Sequence, residues 1–327
     1  MIRIGITGGA GYVAGELLRL LLRHPEAEVI FAWSRSHAGE PVASVHHDLL
    51  GETDLRFVGE YPASEEIDIL FLCSGHGASR SFLDEQSIPA GTRIIDMSAD
   101  FRLATESTWG EREFVYGLPE LHRDEIITAD AIANPGCFAT AIQLALLPLA
   151  SEGLLEHPIH VNAITGATGA GAGLSQTTHF AWREGNVSIY KPFIHQHLGE
   201  IRQSLGELQP GFSVPLHFIP VRGNFTRGIF ATAYTTCNES LDTLRRVYEE
   251  FYASHPFVTL SDISPSLKSV VNTNKCLIHL DRHEDQILIT SMIDNLLKGA
   301  SGQAVQNMNL MCGLGEKTGL SLKGTGF

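Results

Sequence analysis

Apolar positions along the chain follow two rhythms. Short runs rich in β-branched and aromatic residues, Ile2–Thr7, Glu28–Trp33, Asp68–Cys73, Arg93–Met97 and Ala129–Ala133, have the length and texture of buried strands. Between them lie helix-like stretches such as Glu16–Arg23. Strand alternating with helix predicts a right-handed, doubly wound parallel sheet of Rossmann type. The texture then changes. Phe138–Ala150 is an unbroken apolar run of helix length, and Ile159–Thr165, Pro215–Val221, Gly228–Cys237, Val258–Leu260, Lys275–Leu280 and Gln286–Ser291 read as strands. Helical patterns cover His195–Leu208 and Leu241–Ser254. This predicts a second, mixed α/β domain with a largely antiparallel sheet. A last amphipathic helix follows the Gly-rich stretch after Asp294 and is expected to return to the first domain. The predicted organisation is 1–136, 137–293 and 294–327, with a site in the cleft between the two domains.

Composition narrows the function. A chain of 327 residues exceeds what one core usually holds, which agrees with two domains. A formal net charge of −14 speaks against non-specific nucleic-acid binding. The longest apolar run is too short to span a bilayer, and Met1 leads straight into a strand with no targeting segment, so no membrane partner is expected. The five cysteines, an odd count without CxxC spacing, point to a reducing cytoplasm and away from disulfides or zinc. The pair His195 and His197 has no further clustered ligands, so no metal is expected.

Directly after the first strand comes Gly8-Gly-Ala-Gly-Tyr-Val-Ala-Gly15, then a helix. Strand, glycine turn and helix are the context of a dinucleotide-binding turn. Gly8 would make the tight turn, and Gly11 would let a pyrophosphate reach the helix start. Gly9, Ala10, Tyr12 and Val13 fill the same turn, while Ala14 or Gly15 would allow close helix–strand packing. The spacing is Gly-x-x-Gly rather than the stricter Gly-x-Gly. The second strand ends in Ser34, Arg35 and Ser36 instead of an acidic residue. Hydroxyls and a guanidinium suit a 2′-phosphate, so NADP is expected over NAD. Cys73, Ser74 and Gly75 end the next strand and are further cofactor contacts, with His76 beside them as a turn residue or a catalytic one. Gly169, in the glycine-rich loop Gly166–Gly173, and Asn307, in the last helix, complete the set of cofactor candidates.

The second concentration of chemistry is Asn134-Pro-Gly-Cys-Phe-Ala-Thr140. Cys137 falls in the first turn of the apolar helix, where outward-pointing amides favour a thiolate. Gly136 would let a substrate approach the backbone closely. A lone cysteine in an apolar run is ordinarily an inert core residue, but a dinucleotide turn and a positioned histidine favour a nucleophile. His195 and His197 stand at the start of another helix, with Glu200 three residues after His197, where it can orient that imidazole. Arg102 ends a strand and is a candidate for an anionic substrate group. These parts fit one chemistry: thiolate attack on an activated acyl group, departure of a leaving group, and reduction of the thioester by hydride.

The motifs Gly8–Leu18, Asp96–Arg102, Tyr116–Leu121, Asn134–Thr140, His195–Ile201 and Gly299–Asn307, in this order, closely resemble the N-acetyl-γ-glutamyl-phosphate reductases of arginine biosynthesis. The resemblance covers essentially the whole chain. It implies Cys137 as nucleophile and the His195/His197 pair as the acid/base site, with His197 chosen because of Glu200. It also implies an acyl-phosphate substrate, NADPH as reductant, phosphate departure aided by Arg102, and a homo-oligomer, dimer or tetramer, formed through the second domain's sheet. Asn134, Lys191 and Arg227 are further candidates for substrate contacts. Where the family usually carries proline after the second histidine and its neighbour, this chain has Gly199. The texture is closest to the reductases of Bacteroidetes-type bacteria, some of which use N-succinyl intermediates. Acetyl and succinyl substrates both remain open, with Arg183, Lys191, Arg222 and Arg227 as cations for an extra carboxylate. A carrier-linked aminoadipyl-phosphate reductase, a non-catalytic NADP sensor and a cysteine hydrolase are more distant alternatives.

Overall fold

The computed structural model describes residues 1–326, which divide into two compact units. The first comprises Met1–Pro135 with Ala300–Ser321, and the second Gly136–Gly299 with the chain end from Leu322.

In the first unit, β1 (Ile2–Thr7), β2 (Ala27–Trp33), β3 (Phe57–Val58), β4 (Ile69–Leu72) and β5 (Arg93–Asp96) precede a small hairpin, β6 (Thr108–Trp109) and β7 (Arg112–Glu113). Then come β8 (Val115–Tyr116) and β9 (Ala131–Ala133). The sheet order is β3-β2-β1-β4-β5-β9-β8, with every neighbouring pair parallel. Strands buried on both faces explain the continuous apolar runs, as in Ile69–Leu72, where all four residues are buried. Helices α1 (Tyr12–Leu21), α2 (Ala78–Glu85) and α3 (Pro119–Thr128) connect the strands, and a later helix, Gly302–Met311, joins the same unit. Segment Tyr116–Leu121 contains the end of β8 and the start of α3. Pro119 and Glu120 in its first turn suit a helix start.

The second unit opens with α4 (Cys137–Ser151), one residue longer at each end than the apolar run. Its sheet comprises β10 (Ile159–Thr165), β11 (Ser188–Ile189), β12 (Leu216–Arg222), β13 (Ile229–Thr236), β14 (Val258–Leu260), β15 (Cys276–His283) and β16 (Gln286–Ile293). The order is β11-β12-β10-β13-β16-β15-β14, and only β10–β12 and β14–β15 are parallel. A short α5 (Phe180–Arg183), α6 (His197–Leu208) and α7 (Leu241–Tyr252) complete the unit.

Helix α4 is its axis. Every residue from Phe138 to Ala150 is buried. Pro148 lies inside the helix and cannot donate to the carbonyl of Leu144. The hydroxyl of Tyr252 on α7 donates to that carbonyl at 2.6 Å, and Tyr248 donates to the neighbouring Ala145 carbonyl. The buried helix thus keeps its acceptors satisfied despite the proline. Gln143, also fully buried, donates to the carbonyl of Glu200 at 3.0 Å and the hydroxyl of Ser204 at 2.9 Å, fastening α6 to α4.

Candidate active site

Two helix starts carry the predicted chemistry, one in each unit. In the first unit, Gly8 has φ +63°, and a Cβ there would stand 2.5 Å from the carbonyl oxygen of Cys73. Only glycine fits. The Gly11 N–H donates to the Gly8 carbonyl, and Gly11 begins α1 without any side-chain cap. His46, which the sequence did not flag, pins this turn. Its Nε2 donates to the Gly9 carbonyl at 2.7 Å, and the ring occupies the space a Cβ on Gly15 would take. The start of α1 is held further by Ser301, whose hydroxyl donates to the Val13 carbonyl at 2.8 Å.

A cleft of about 590 Å³ is lined by Gly8, Ala10, Ser34, Arg35, Ser36 and Ser74, among others. The structure therefore brings the glycine turn and the two strand ends together. Gly9 lies behind the turn, donating to the Trp33 carbonyl, and Tyr12 is exposed at the start of α1. Arg35 lies over the Trp33 ring at 5.0 Å and reaches Glu85 at 3.6 Å on the surface. The Cys73 thiol is pushed far up by burial and by Asp96, so it remains neutral. Gly75, at φ +97°, turns the chain, and the ring Nδ1 of His76 accepts from the Ala99 N–H, a bond that braces the turn. An uncapped helix start, a turn that admits only glycine and a hydroxyl- and guanidinium-lined edge fit a phosphorylated dinucleotide.

Asn134 and Asn307 are both fully buried in the first unit and touch each other, Asn307 Nδ2 donating to Asn134 Oδ1 at 3.1 Å and to the Gly117 carbonyl at 2.9 Å. Asn307 Oδ1 has no partner among the described residues. Arg102 is buried as well. Its Nε donates to the Asn134 carbonyl at 2.8 Å and its Nη2 to the Met97 carbonyl at 3.1 Å, so it braces the strand that precedes Pro135.

In the second unit Cys137 is the first residue of α4, half-buried, with Gly136 ahead of it in extended conformation (φ −70°, ψ 149°) and no side-chain cap. A Cβ on Gly136 would lie 2.3 Å from His197 Nε2. Glycine at 136 is what lets the imidazole rest against the turn that presents the cysteine. Gly299 has the same role on another side, since its Cβ would lie 2.9 Å from that of Cys137. Neither contact is visible in sequence spacing, because both join residues far apart in the chain.

Glu200 lies beside His197, where its three-residue spacing puts it, and serves a second group as well. His197 Nε2 lies 3.9 Å from Glu200 Oε1, within reach of charge but beyond a hydrogen bond. The other oxygen, Oε2, accepts from the Gly136 N–H at 2.8 Å. Glu200 thus fixes the turn into α4 as well as lying beside the imidazole. His195 Nδ1 accepts from the His197 N–H at 3.3 Å, and the two rings meet edge to face at 4.5 Å. His195 also packs on Phe138, Tyr190 and Phe218. Tyr190 is a residue that the sequence did not flag. Burial, and then the charge of Cys137, raise its hydroxyl to about 12.

The remaining candidates divide. Arg227 is paired with Asp294 at 3.1 and 3.2 Å. Lys191 is exposed at φ +45° and donates to Gln196 Oε1 at 3.2 Å. Gly169 lies in a short turn of helix beside the Thr165 side chain, within the second unit. Among the described residues no group of three or more His, Cys, Asp or Glu is arranged to hold a metal ion, and no helix is long and apolar enough to cross a membrane.

This pairing of a dinucleotide turn with a helix-start cysteine is matched by family models. Residues 3–129 match "semialdehyde dehydrogenase, NAD binding domain", and residues 137–295 match "semialdehyde dehydrogenase, dimerisation domain". Curated relatives narrow the class. The chain is 57% identical over 327 residues to an N-acetyl-gamma-glutamyl-phosphate reductase of Parabacteroides distasonis and 54% identical to one of Flavobacterium johnsoniae, each covering 100% of both chains. The chain belongs to the family of N-acetyl-gamma-glutamyl-phosphate reductases. Its fold is shared more widely. Aspartate semialdehyde dehydrogenase II of Vibrio cholerae is 17% identical with a TM-score of 0.70, over 95% of this chain and 98% of that one. The Candida albicans aspartate semialdehyde dehydrogenase solved with NADP is 12% identical with a TM-score of 0.72, over 95% of this chain and 99% of that one.

Proposed function

We propose that this chain reduces an N-acyl-γ-glutamyl phosphate to the N-acyl-glutamate 5-semialdehyde and inorganic phosphate, with NADPH, in arginine biosynthesis. Its family supports the reaction, and the observation that carries the mechanism is Cys137 at the uncapped start of α4 with His197 against Gly136. In the first half His197 takes the thiol proton, and the Cys137 thiolate attacks the acyl carbonyl. The carbon–oxygen bond to phosphate breaks, phosphate leaves and a thioester remains on Cys137. Backbone N–H groups at the start of α4 hold the oxyanion. When bound, NADPH supplies the hydride that reduces this thioester. The hemithioacetal then collapses to the aldehyde, and His197 returns the proton as the carbon–sulfur bond breaks. Glu200 holds both the turn and the charge near His197.

Gly8, Gly11 and the start of α1 hold the cofactor's pyrophosphate, and Ser34, Arg35 and Ser36 its 2′-phosphate. A free thiolate nucleophile suits the reducing cytoplasm. The chain works as a homodimer built on the second unit. Support comes from the matched dimerisation domain and from the sheet face opposite α4, where half-buried Ile164 registers with Val221 and Phe230.

The reaction is tested in reverse by NADP⁺ reduction at alkaline pH, with phosphate and N-acetyl- or N-succinyl-glutamate semialdehyde. Turnover should require phosphate and fall by roughly 10⁴-fold or more in Cys137→Ser, with NADP binding retained. Turnover in the wild type that survives this substitution overturns the mechanism. No turnover with either aldehyde overturns the assignment.

A further inference from the structure

The substrate of the proposed reaction carries at least one carboxylate, and a cation of the second unit, which holds Cys137, would suit it. The arginines there are not equivalent. Arg227 is matched by Asp294. Arg183, buried, donates to the carbonyls of Thr177, Asn186 and Arg222 and to the Ser188 hydroxyl. Arg222 differs from both. Its Nε is buried with no hydrogen-bond partner, and no carboxylate of the described residues lies within ion-pair distance of it.

Strand register says where Arg222 points. It ends β12 and pairs with Thr165, the last residue of β10. Along β12 the side chains of Leu216, Phe218 and Pro220 share its face, and Phe218 packs on Phe138 of α4 at 5.2 Å. Arg222 therefore lies on the α4-covered face, at the strand end. Its guanidinium lies 4.5 Å from the ring centroid of Tyr190, and that ring is 5.7 Å from the ring of His195. Tyr190 also lies close enough to feel the charge of Cys137. Beside it, the Thr165 hydroxyl is buried without a partner in register with Arg222.

The local charge is also unbalanced. Arg183 is held below the usual guanidinium range by burial and then by the charge of Arg222. Two adjacent guanidiniums without a carboxylate, in a chain of net charge −14, form a site completed by an incoming anion.

We propose that Arg222, positioned by the Tyr190 ring and flanked by the Thr165 hydroxyl, receives a carboxylate of the acyl-glutamyl substrate. This rests on the reaction proposed above. The carboxylate has two possible sources, the α-carboxylate of the glutamyl group or a terminal carboxylate on the N-acyl group.

The test compares wild type, Arg222→Gln and Arg222→Lys with N-acetyl- and N-succinyl-glutamate semialdehyde under the reverse assay. Arg222→Gln should raise KM for the aldehyde roughly 10- to 100-fold, with kcat within about threefold, since the lost contact holds a charged group. Arg222→Lys should fall between, keeping charge but losing the fork. A KM rise for both aldehydes assigns the α-carboxylate, and a rise for the succinyl substrate alone assigns the acyl carboxylate. Unchanged KM for both, in a variant that melts like the wild type, overturns the inference while leaving the reaction intact. If Arg222→Gln does not fold, Tyr190→Leu takes its place. It leaves the guanidinium but removes the ring beneath it, and unchanged KM for both aldehydes there overturns the inference equally. A wild type inactive on both aldehydes overturns the reaction and this inference with it.

Discussion

The starts of α1 and α4 are nearly the same piece of backbone put to different use. Each is preceded by a glycine in extended conformation, Gly11 at φ −79° and ψ 162° and Gly136 at φ −70° and ψ 149°, and neither has a side-chain cap. A helix start of this kind favours negative charge. At α1 the residues around it leave a cleft, so the proposed anion comes from solution with the cofactor. At α4 the first residue is Cys137, so the proposed anion, its thiolate, is part of the chain. The glycines also serve different neighbours. Gly8 and Gly15 make room for backbone and for His46, whereas Gly136 and Gly299 make room for His197 and for the cysteine itself. A binding turn needs space for a ligand. A catalytic turn needs its partner groups pressed against it.

That difference can be broken on one side at a time. Gly136→Ala should drive His197 from its place and lower kcat about 100-fold, with little change in KM for NADP, because small displacements of a catalytic group are costly. Gly8→Ala should do the opposite. The strained φ and the clash with the Cys73 carbonyl should raise KM for NADP by roughly 10-fold or more and lower Tm, while Cys137 keeps its reactivity toward iodoacetamide. Equal effects of both variants on alkylation and on cofactor binding would dissolve the distinction. The smallest effect sharpens the α1 side. Arg35→Ser should weaken NADP roughly tenfold and leave NAD unchanged, since the guanidinium is proposed to meet only the 2′-phosphate. Equal weakening of both would show that Arg35 supports the turn rather than the phosphate.

The sheets were legible because parallel strands buried on both faces are written as unbroken apolar runs, and antiparallel ones as alternation. Ile69–Leu72 and Ile229–Thr236 show the two cases. The start of α4 was readable from Pro135, Gly136 and the apolar run behind them. What sequence spacing could not supply were contacts between distant segments. His46 under Gly9, Gln143 tying α6 to α4, and Gly136 beneath His197 are each made by residues 37 to 61 positions apart. Glu200 shows the limit most clearly. Its three-residue spacing from His197 correctly placed it nearby, but its carboxylate also accepts from the Gly136 N–H, 64 positions earlier. Arg102 and Arg227 were named for their charge, and the backbone carbonyls and the carboxylate they bind are invisible at that level.

The most direct measurement is a single-turnover experiment without NADPH. The acyl phosphate is mixed in excess over enzyme, and released phosphate and the mass of the Cys137 peptide are followed together. The account predicts a burst of about one equivalent of phosphate per active site, with an acyl adduct confined to Cys137. No burst and no adduct, from enzyme that turns over fully once NADPH is added, would contradict a thioester on Cys137.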